Sequence, residues 1–295
     1  MADEAWCWVV NQASGAQEGL RLAAFLRSAG LGTVVDLRDP LLSDHVAAAE
    51  RVVACGGDGT VAAVLEAARQ ATHPPPVGIL PLGTGNDLAH HLGWSALSWA
   101  NDMSQLTHHY GQAVQRSFDR WLLIDPAGHA RAWYNYCSWG LDARIAAAFH
   151  QLRLRHPRLC CGQVVNKAVY AALSLAVTAV RPGSGGSVDG VVQPAWARAT
   201  VWLNIPRYAG RPGLGPGIHD DDGHVDGFAL GFGIQAALAI AGLRCPRRLG
   251  AQTGCVIQVP HQVHLQIDGE PLLAQPGTWR ILHAGQVTVL VPRSL

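Results

Sequence analysis

One run constrains this chain more than any other: Arg51-Val52-Val53-Ala54-Cys55-Gly56-Gly57-Asp58-Gly59-Thr60-Val61. A short apolar stretch ends in three glycines set around one aspartate. Val61, Val64, Leu65 and Ala68 then recur at i, i+3, i+4 and i+7, the helix period. The run predicts a strand, a tight turn and a helix. Glycines let backbone N–H groups approach an anion, and a helix N-terminus adds favourable partial charge, so phosphate is the natural guest. Asp58 would repel that guest unless a divalent cation intervenes or the carboxylate handles a proton, and phosphoryl transfer uses both. The same residues also suit a hairpin with Asp58-Gly59 as its two-residue turn.

A second stretch repeats the plan. Val77-Gly78-Ile79-Leu80-Pro81-Leu82-Gly83-Thr84-Gly85-Asn86-Asp87-Leu88-Ala89 reads as apolar strand, glycine turn and helix start, with Asn86 or Asp87 as the helix cap. Two such units in series predict parallel strands whose loops gather at one sheet edge, where open α/β sheets bind ligands. Neither stretch has the G-x-G-x-x-G spacing of a dinucleotide fold or the G-x-x-x-x-G-K-[ST] loop.

Together the two stretches resemble the signature loops of the diacylglycerol kinase catalytic region. That family is grouped with sphingosine and ceramide kinases, and more distantly with NAD kinases and phosphofructokinases. The resemblance implies an α/β chain with a phosphofructokinase-like nucleotide-binding domain over residues 1–116. A β-rich sandwich that binds lipid would follow over residues 117–295, its last strand free to return to the first domain. It implies an ATP- and Mg²⁺-dependent enzyme that phosphorylates diacylglycerol to phosphatidic acid. Gly56, Gly57, Asp58, Gly59, Thr60, Gly83, Thr84, Gly85 and Asn86 would bind the nucleotide. Asp58 would orient magnesium or the acceptor hydroxyl, and Asp87 would hold the loop or the metal. No zinc-binding lipid module, ankyrin repeat or pleckstrin-type domain fits beside these regions.

Composition narrows the classes further. The 295 residues are 49% hydrophobic and 15% charged with net charge +1, which suits a folded core and argues against a generally basic nucleic-acid binder. The 7 cysteines form no C-x-x-C pair, which predicts a reducing compartment, no disulfide framework and no structural zinc. Met1-Ala2-Asp3-Glu4-Ala5-Trp6 lacks a signal-peptide core. Residues 168–180 are apolar but shorter than the roughly 20 that span a bilayer. The expectation is a cytoplasmic protein that visits the membrane surface, where diacylglycerol lies.

Taken in order, Trp6–Val10 reads as a first strand, followed by the polar loop Asn11–Gly15 and a helix over 20–28. In the family that loop begins Asn-Pro and carries a basic residue. Here Gln12 and Ala13 replace them, while Asn11 is kept as a nucleotide contact beside its reading as an ordinary turn residue. A strand over 33–37 and a helix over 44–51 lead into the central motif. The pairs His90-His91 and His108-His109 read as solvated, because neighbouring side chains on a helix diverge. An amphipathic segment over 97–115 closes the first domain, and a strand over 117–124 opens the second. Trp133 to Arg144 reads as strand then glycine turn and is similar to a family segment, with Asp142 as the cap of the next helix. His150, Arg153, Arg155, His156 and Arg158 suit anionic headgroups or a solvated helix face. Asn166-Lys167, Tyr170 and Asn204-Ile205-Pro206 extend the resemblance, whereas residues 211–217 depart from it as a Gly/Pro-rich loop.

Two acidic sites close the reading. His219-Asp220-Asp221-Asp222-Gly223-His224 lacks EF-hand spacing; by resemblance Asp222 is a candidate magnesium ligand, and otherwise part of a solvated turn. Val263 to Asp268 alternates as a half-buried strand and delivers Asp268-Gly269-Glu270-Pro271. This segment resembles the family's Asp-Gly-Glu-Pro turn, whose acids include the proposed base, and either Asp268 or Glu270 fits that role. Residues 279–291 read as two last strands. A sphingosine or ceramide kinase, or an inactive lipid sensor of the same fold, would share most of these features.

Overall fold

The computed structural model describes residues 6–15, 17–82, 86–94, 103–155, 169, 172–173, 186–192, 196–208, 211–212, 217–231 and 247–293. The chain forms two compact units, Met1–Phe118 with Gln286–Leu295, and Asp119–Gly285. No helix among the described residues is long and apolar enough to cross a membrane.

The first unit runs β1 (Trp6–Val10), α1 (Glu18–Ser28), β2 (Thr33–Asp36), α2 (Leu42–Ala47), β3 (Arg51–Gly56), α3 (Asp58–Arg69), β4 (Val77–Pro81), α4 (Asp87–His91) and α5 (Met103–Gly111). Its strands are parallel in the order β2-β1-β3-β4. β1, β3 and β4 are buried almost throughout, as their unbroken apolar runs require of central parallel strands. Tyr110 of α5 locks onto β4: a Cβ at Gly78 would lie 2.9 Å from its ring, and its hydroxyl donates to the Ile79 carbonyl at 2.7 Å. Trp94 stacks on the same ring at 4.6 Å and donates its Nε1–H to the Leu290 carbonyl. That bond fastens the end of the last strand, which lies parallel to β4 with Val289 opposite Val77.

The second unit continues with β5 (Val114–Ile124), β6 (Ala130–Trp133), β7 (Tyr136–Gly140), α6 (Leu141–Arg155), β8 (Ser187–Val188), β9 (Val191–Val192), β10 (Ala199–Leu203), β11 (Arg207–Tyr208) and β12 (Arg211–Pro212). β13 (Val225–Leu230), β14 (Arg247–Gln252), β15 (Gly254–Val259), β16 (Val263–Ile267), β17 (Glu270–Ala274) and β18 (Gly277–Val291) complete it. One antiparallel sheet has the order β14-β13-β10-β7-β16-β17. A second layer pairs β15 with β8 and with residues 277–282 of β18, and β5 with β6. Trp121, Trp133, Trp139, Trp202 and Trp279 come from both layers into one core, so the unit is a sandwich. Period-two alternation sends Trp202 to that core, while Val201 and Leu203 join Tyr136, Tyr208 and Phe228 in a separate cluster. α6 packs along β16 and β17.

Two expectations change here. Residues 277–291 form one strand, not two, because Gly285 takes φ 82° within it without breaking it. Asp142 does not cap α6; it lies in the first turn, where its carboxylate accepts from Ser138 Oγ at 2.7 Å and from Gln266 Nε2. Residues 97–102 of the segment expected to close the first domain lie outside the described residues, as do Asn166, Lys167 and Tyr170.

Candidate active site

In the first unit the strand order reverses between β1 and β3, since β1 has β2 on one side and β3 on the other. Crossovers leaving those two strands in opposite directions open a crevice at their carboxyl ends. Asn11 follows β1 and Gly57-Asp58 follows β3, so both flank that crevice. Hydrogen bonds stitch the loops together. Asn11 N–H donates to the Cys55 carbonyl at 3.0 Å, Asn11 Nδ2 to Thr60 Oγ1 at 3.1 Å, and Leu82 N–H to the Gly56 carbonyl at 3.0 Å.

Asp58 makes the decisive contact. Its two carboxylate oxygens accept the backbone N–H groups of Asp87 and Leu88, each at 3.1 Å. Asp58 thus caps α4 across 29 and 30 positions of sequence. Asn86, at the local N-cap position, makes no side-chain cap bond, which corrects the expectation that Asn86 or Asp87 would cap this helix. The loop bearing Asp58 is thereby bonded to the first turn of α4. Asp87 itself is buried, 4% exposed. Thr60 is buried too, its hydroxyl braced by Asn11, so its side chain supports the turn. Gly83, Thr84 and Gly85 lie outside the described residues.

The glycines of the first loop are not equivalent. A Cβ on Gly56 would sit 2.3 Å from Thr60 Oγ1, whereas one on Gly59 would meet nothing within 4 Å. Gly59 lies in the exposed first turn of α3, where alanine is a better helix former by up to about 1 kcal/mol. Gly59→Ala should therefore keep or raise the melting temperature while raising the KM for ATP about tenfold or more, because the methyl occupies space a phosphate would use. Gly56→Ala should lower the melting temperature. Thermal denaturation read beside ATP kinetics checks both.

In the second unit, Asp268 and Gly269 form the two-residue turn between β16 and β17, with φ 48° and 84°. Positive φ at both positions is the geometry an Asp-Gly hairpin turn requires. The two acids of this turn do different things. The Asp268 carboxylate points inward and accepts the N–H groups of Tyr134, Asn135 and Tyr136 at 2.8, 2.7 and 3.1 Å. The residue is only half-buried because its backbone is at the turn, but burial of the carboxyl pushes it up to about 6, against the pull of the three amides. Glu270 lies nearer the solvent: its side chain is 61% exposed, 3.6 Å from His150 Nδ1. Sequence alone presents these acids as equivalents, because nothing local says which faces the 134–136 segment.

Asp222 is exposed and engages its own neighbour, accepting the His224 N–H at 2.9 Å. The acidic loop is anchored instead by fully buried Asp119, which accepts the Gly223 N–H at 2.7 Å and lies 3.0 Å from His283 Nε2. Among the described residues no group of three or more His, Cys, Asp or Glu side chains is placed to hold a metal. A magnesium ion that arrives with a nucleotide needs fewer, since it takes one or two carboxylates with phosphate oxygens and water. Asp58 and Asp87 carry carboxylate oxygens, which are hard donors of that type.

Residues 5–116 match the family model of the diacylglycerol kinase catalytic domain, and residues 132–185 that of the diacylglycerol kinase accessory domain. The chain is 34% identical over 277 residues to diacylglycerol kinase 2 of Arabidopsis thaliana, covering 81% of this chain and 38% of that one. It is 31% identical over 278 residues to human diacylglycerol kinase zeta, covering 81% and 30%. The chain thus spans well under half the length of these curated relatives. A diacylglycerol kinase structure from Bacillus anthracis superposes with a TM-score of 0.63 at 15% identity, over 98% of this chain and 97% of that one, and shares the fold. With catalytic and accessory regions matched in order along one chain, this protein belongs to the diacylglycerol kinase family.

Proposed function

We propose that the chain transfers the γ-phosphoryl group of ATP, with Mg²⁺, to the free hydroxyl of a diacylglycerol at a membrane surface, giving phosphatidic acid. The observation that carries the reading is the Asp58 cap, which ties the first glycine loop to the start of α4 beside the strand-order reversal. Backbone amides at the start of α3 bind phosphate oxygens, favoured by the helix dipole. Asp58 and Asp87 would hold the nucleotide's Mg²⁺, which would supply positive charge to offset that of the transferring phosphoryl group. Glu270 receives the hydroxyl proton, because its side chain is 61% exposed whereas both Asp268 oxygens accept backbone amides in the interior.

The test is transfer of label from γ-labelled ATP with Mg²⁺ to diacylglycerol, sphingosine and ceramide in mixed micelles. Label in phosphatidic acid alone is the expected result. Label in sphingosine or ceramide phosphate would keep the mechanism and change the substrate. No label in any lipid, with ATP still bound, would overturn the reading in favour of a lipid sensor.

A further inference from the structure

We propose that the outer face of α6 and β17 is the surface that meets the membrane, with Leu154 and Leu273 entering the lipid and the arginines of α6 lying among anionic headgroups. The proposal rests on Glu270 as the proton acceptor. A diacylglycerol keeps its hydroxyl at the edge of a bilayer and its acyl chains inside, and each methylene held in hydrocarbon opposes lifting the lipid out. The residues around the acid that takes the hydroxyl proton therefore have to reach the bilayer.

Alternation assigns the two faces of the antiparallel sheet. Leu265, Leu272 and Ala274 turn towards the sandwich core, so Ser138, Gln266 and Leu273, at intervening positions, point to the other face. α6 lies on that other face, because Asp142 in its first turn accepts from Ser138 and Gln266. α6 also packs along β17, where Leu273 is 50% exposed. Towards the end of the helix, His150 Nδ1 lies 3.6 Å from Glu270 Oε2. Leu154 follows one turn later on the same side of α6 and is 69% exposed. The two leucines thus flank Glu270, one from the helix and one from the strand.

A single exposed leucine is ordinary. Two of them beside the acceptor acid, in a basic setting, give the combination of apolar area and positive charge that an interfacial surface uses. α6 carries Arg144, Arg153 and Arg155, which outnumber Asp142 and Glu270, the acids of α6 and β17. Asp142 is buried and bonded towards the sheet, so its charge is turned away from the surface. Arg155 is exposed and adjoins Leu154. Its aliphatic stem can follow an apolar side chain into the headgroup layer while the guanidinium stays with the phosphates.

The experiment is co-sedimentation with two kinds of vesicle, phosphatidylcholine alone and phosphatidylcholine with an equal share of phosphatidylserine. Wild type is compared with Leu154→Glu, Leu273→Glu, Arg155→Gln and Leu41→Glu, the last being a control at a leucine 55% exposed in the first unit. Leu154→Glu and Leu273→Glu should each lower partition about 10-fold or more on both vesicles, with the melting temperature unchanged. Arg155→Gln should lower it about fivefold on the anionic vesicles only. Leu41→Glu should bind as wild type does. Equal partition in every variant would overturn the proposal, as would a loss in Leu41→Glu as large as in Leu154→Glu. Absence of vesicle binding, with a wild-type dimer in solution that Leu154→Glu breaks, would assign the face to a second copy instead. Transfer of label to lipid, run alongside, keeps the two readings apart. Partition lost in the leucine variants, with no lipid labelled by wild type, would support the surface and overturn phosphoryl transfer. Labelled lipid with partition unchanged in those variants would do the reverse.

Discussion

Asp58→Ala will lower kcat by about 10²- to 10³-fold and leave the melting temperature within a few degrees of wild type. The size follows from what the carboxylate does. It fixes two loops relative to one another, and it brings negative charge to where a metal-bound phosphate would lie; losing one preorganised electrostatic group of this kind costs roughly 10²- to 10³-fold. The small thermal effect follows from the bonds lost. Asp58 is a helix cap for Asp87 and Leu88 N–H groups in a partly exposed setting, and removing a cap costs about 1 kcal/mol. Asp58→Ser separates the two roles. Serine can cap one amide but brings no charge, so it should recover stability without recovering turnover. If Asp58→Ser works at near wild-type rate, Asp58 is a cap and nothing more.

Much of this was legible in the sequence because it is local. The glycine turn before Val61, Val64, Leu65 and Ala68 specifies strand, turn and helix without outside help, and the structure adds only the observation that Gly56 must be glycine while a side chain at Gly59 would enter open space. The alternation from Val263 to Ile267 likewise gives the strand that delivers the Asp268-Gly269 turn. What sequence hides is partnership over distance. Asn86 has the right residue type and position to cap α4, yet the cap comes from Asp58, because a carboxylate already fixed by α3 offers both oxygens at no further cost in side-chain entropy. Asp142 looks like a cap for the same local reason and is diverted by Ser138 and Gln266, from β7 and β16. Residues 279–291 read locally as two strands, yet Gly277–Val291 is one, which passes Gly285 and exchanges β15 for β4 as its neighbour.

The same distinction between local type and distant partner makes Asp268 the second large effect, and a different one from Asp58. Asp268→Ala should destabilise the protein by about 3–5 kcal/mol and lower its melting temperature by roughly 10 °C or more. Three partly buried N–H groups lose their acceptor at about 1 kcal/mol or more apiece. Alanine must also adopt φ 48°, which adds about 1 kcal/mol of strain. For a unit of this size each kcal/mol is worth roughly 2–4 °C. Asp268→Asn tolerates the left-handed backbone and keeps one acceptor oxygen, so it should fall between alanine and wild type. Its pH dependence carries a second, independent sign. The Asp268 carboxyl is raised from 3.8 to about 6 in the folded protein, so between those values the folded state holds a proton that the unfolded chain has released. The stability this group contributes is complete below the unfolded value and is lost as pH rises through about 6. The gap between wild type and Asp268→Asn, measured by urea unfolding from pH 4 to 7.5, should therefore shrink as pH rises and become level above about 6. A gap that widens with pH would mean that the three amides, not burial, govern this carboxylate, and would return Asp268 to consideration as an ionised group in the chemistry.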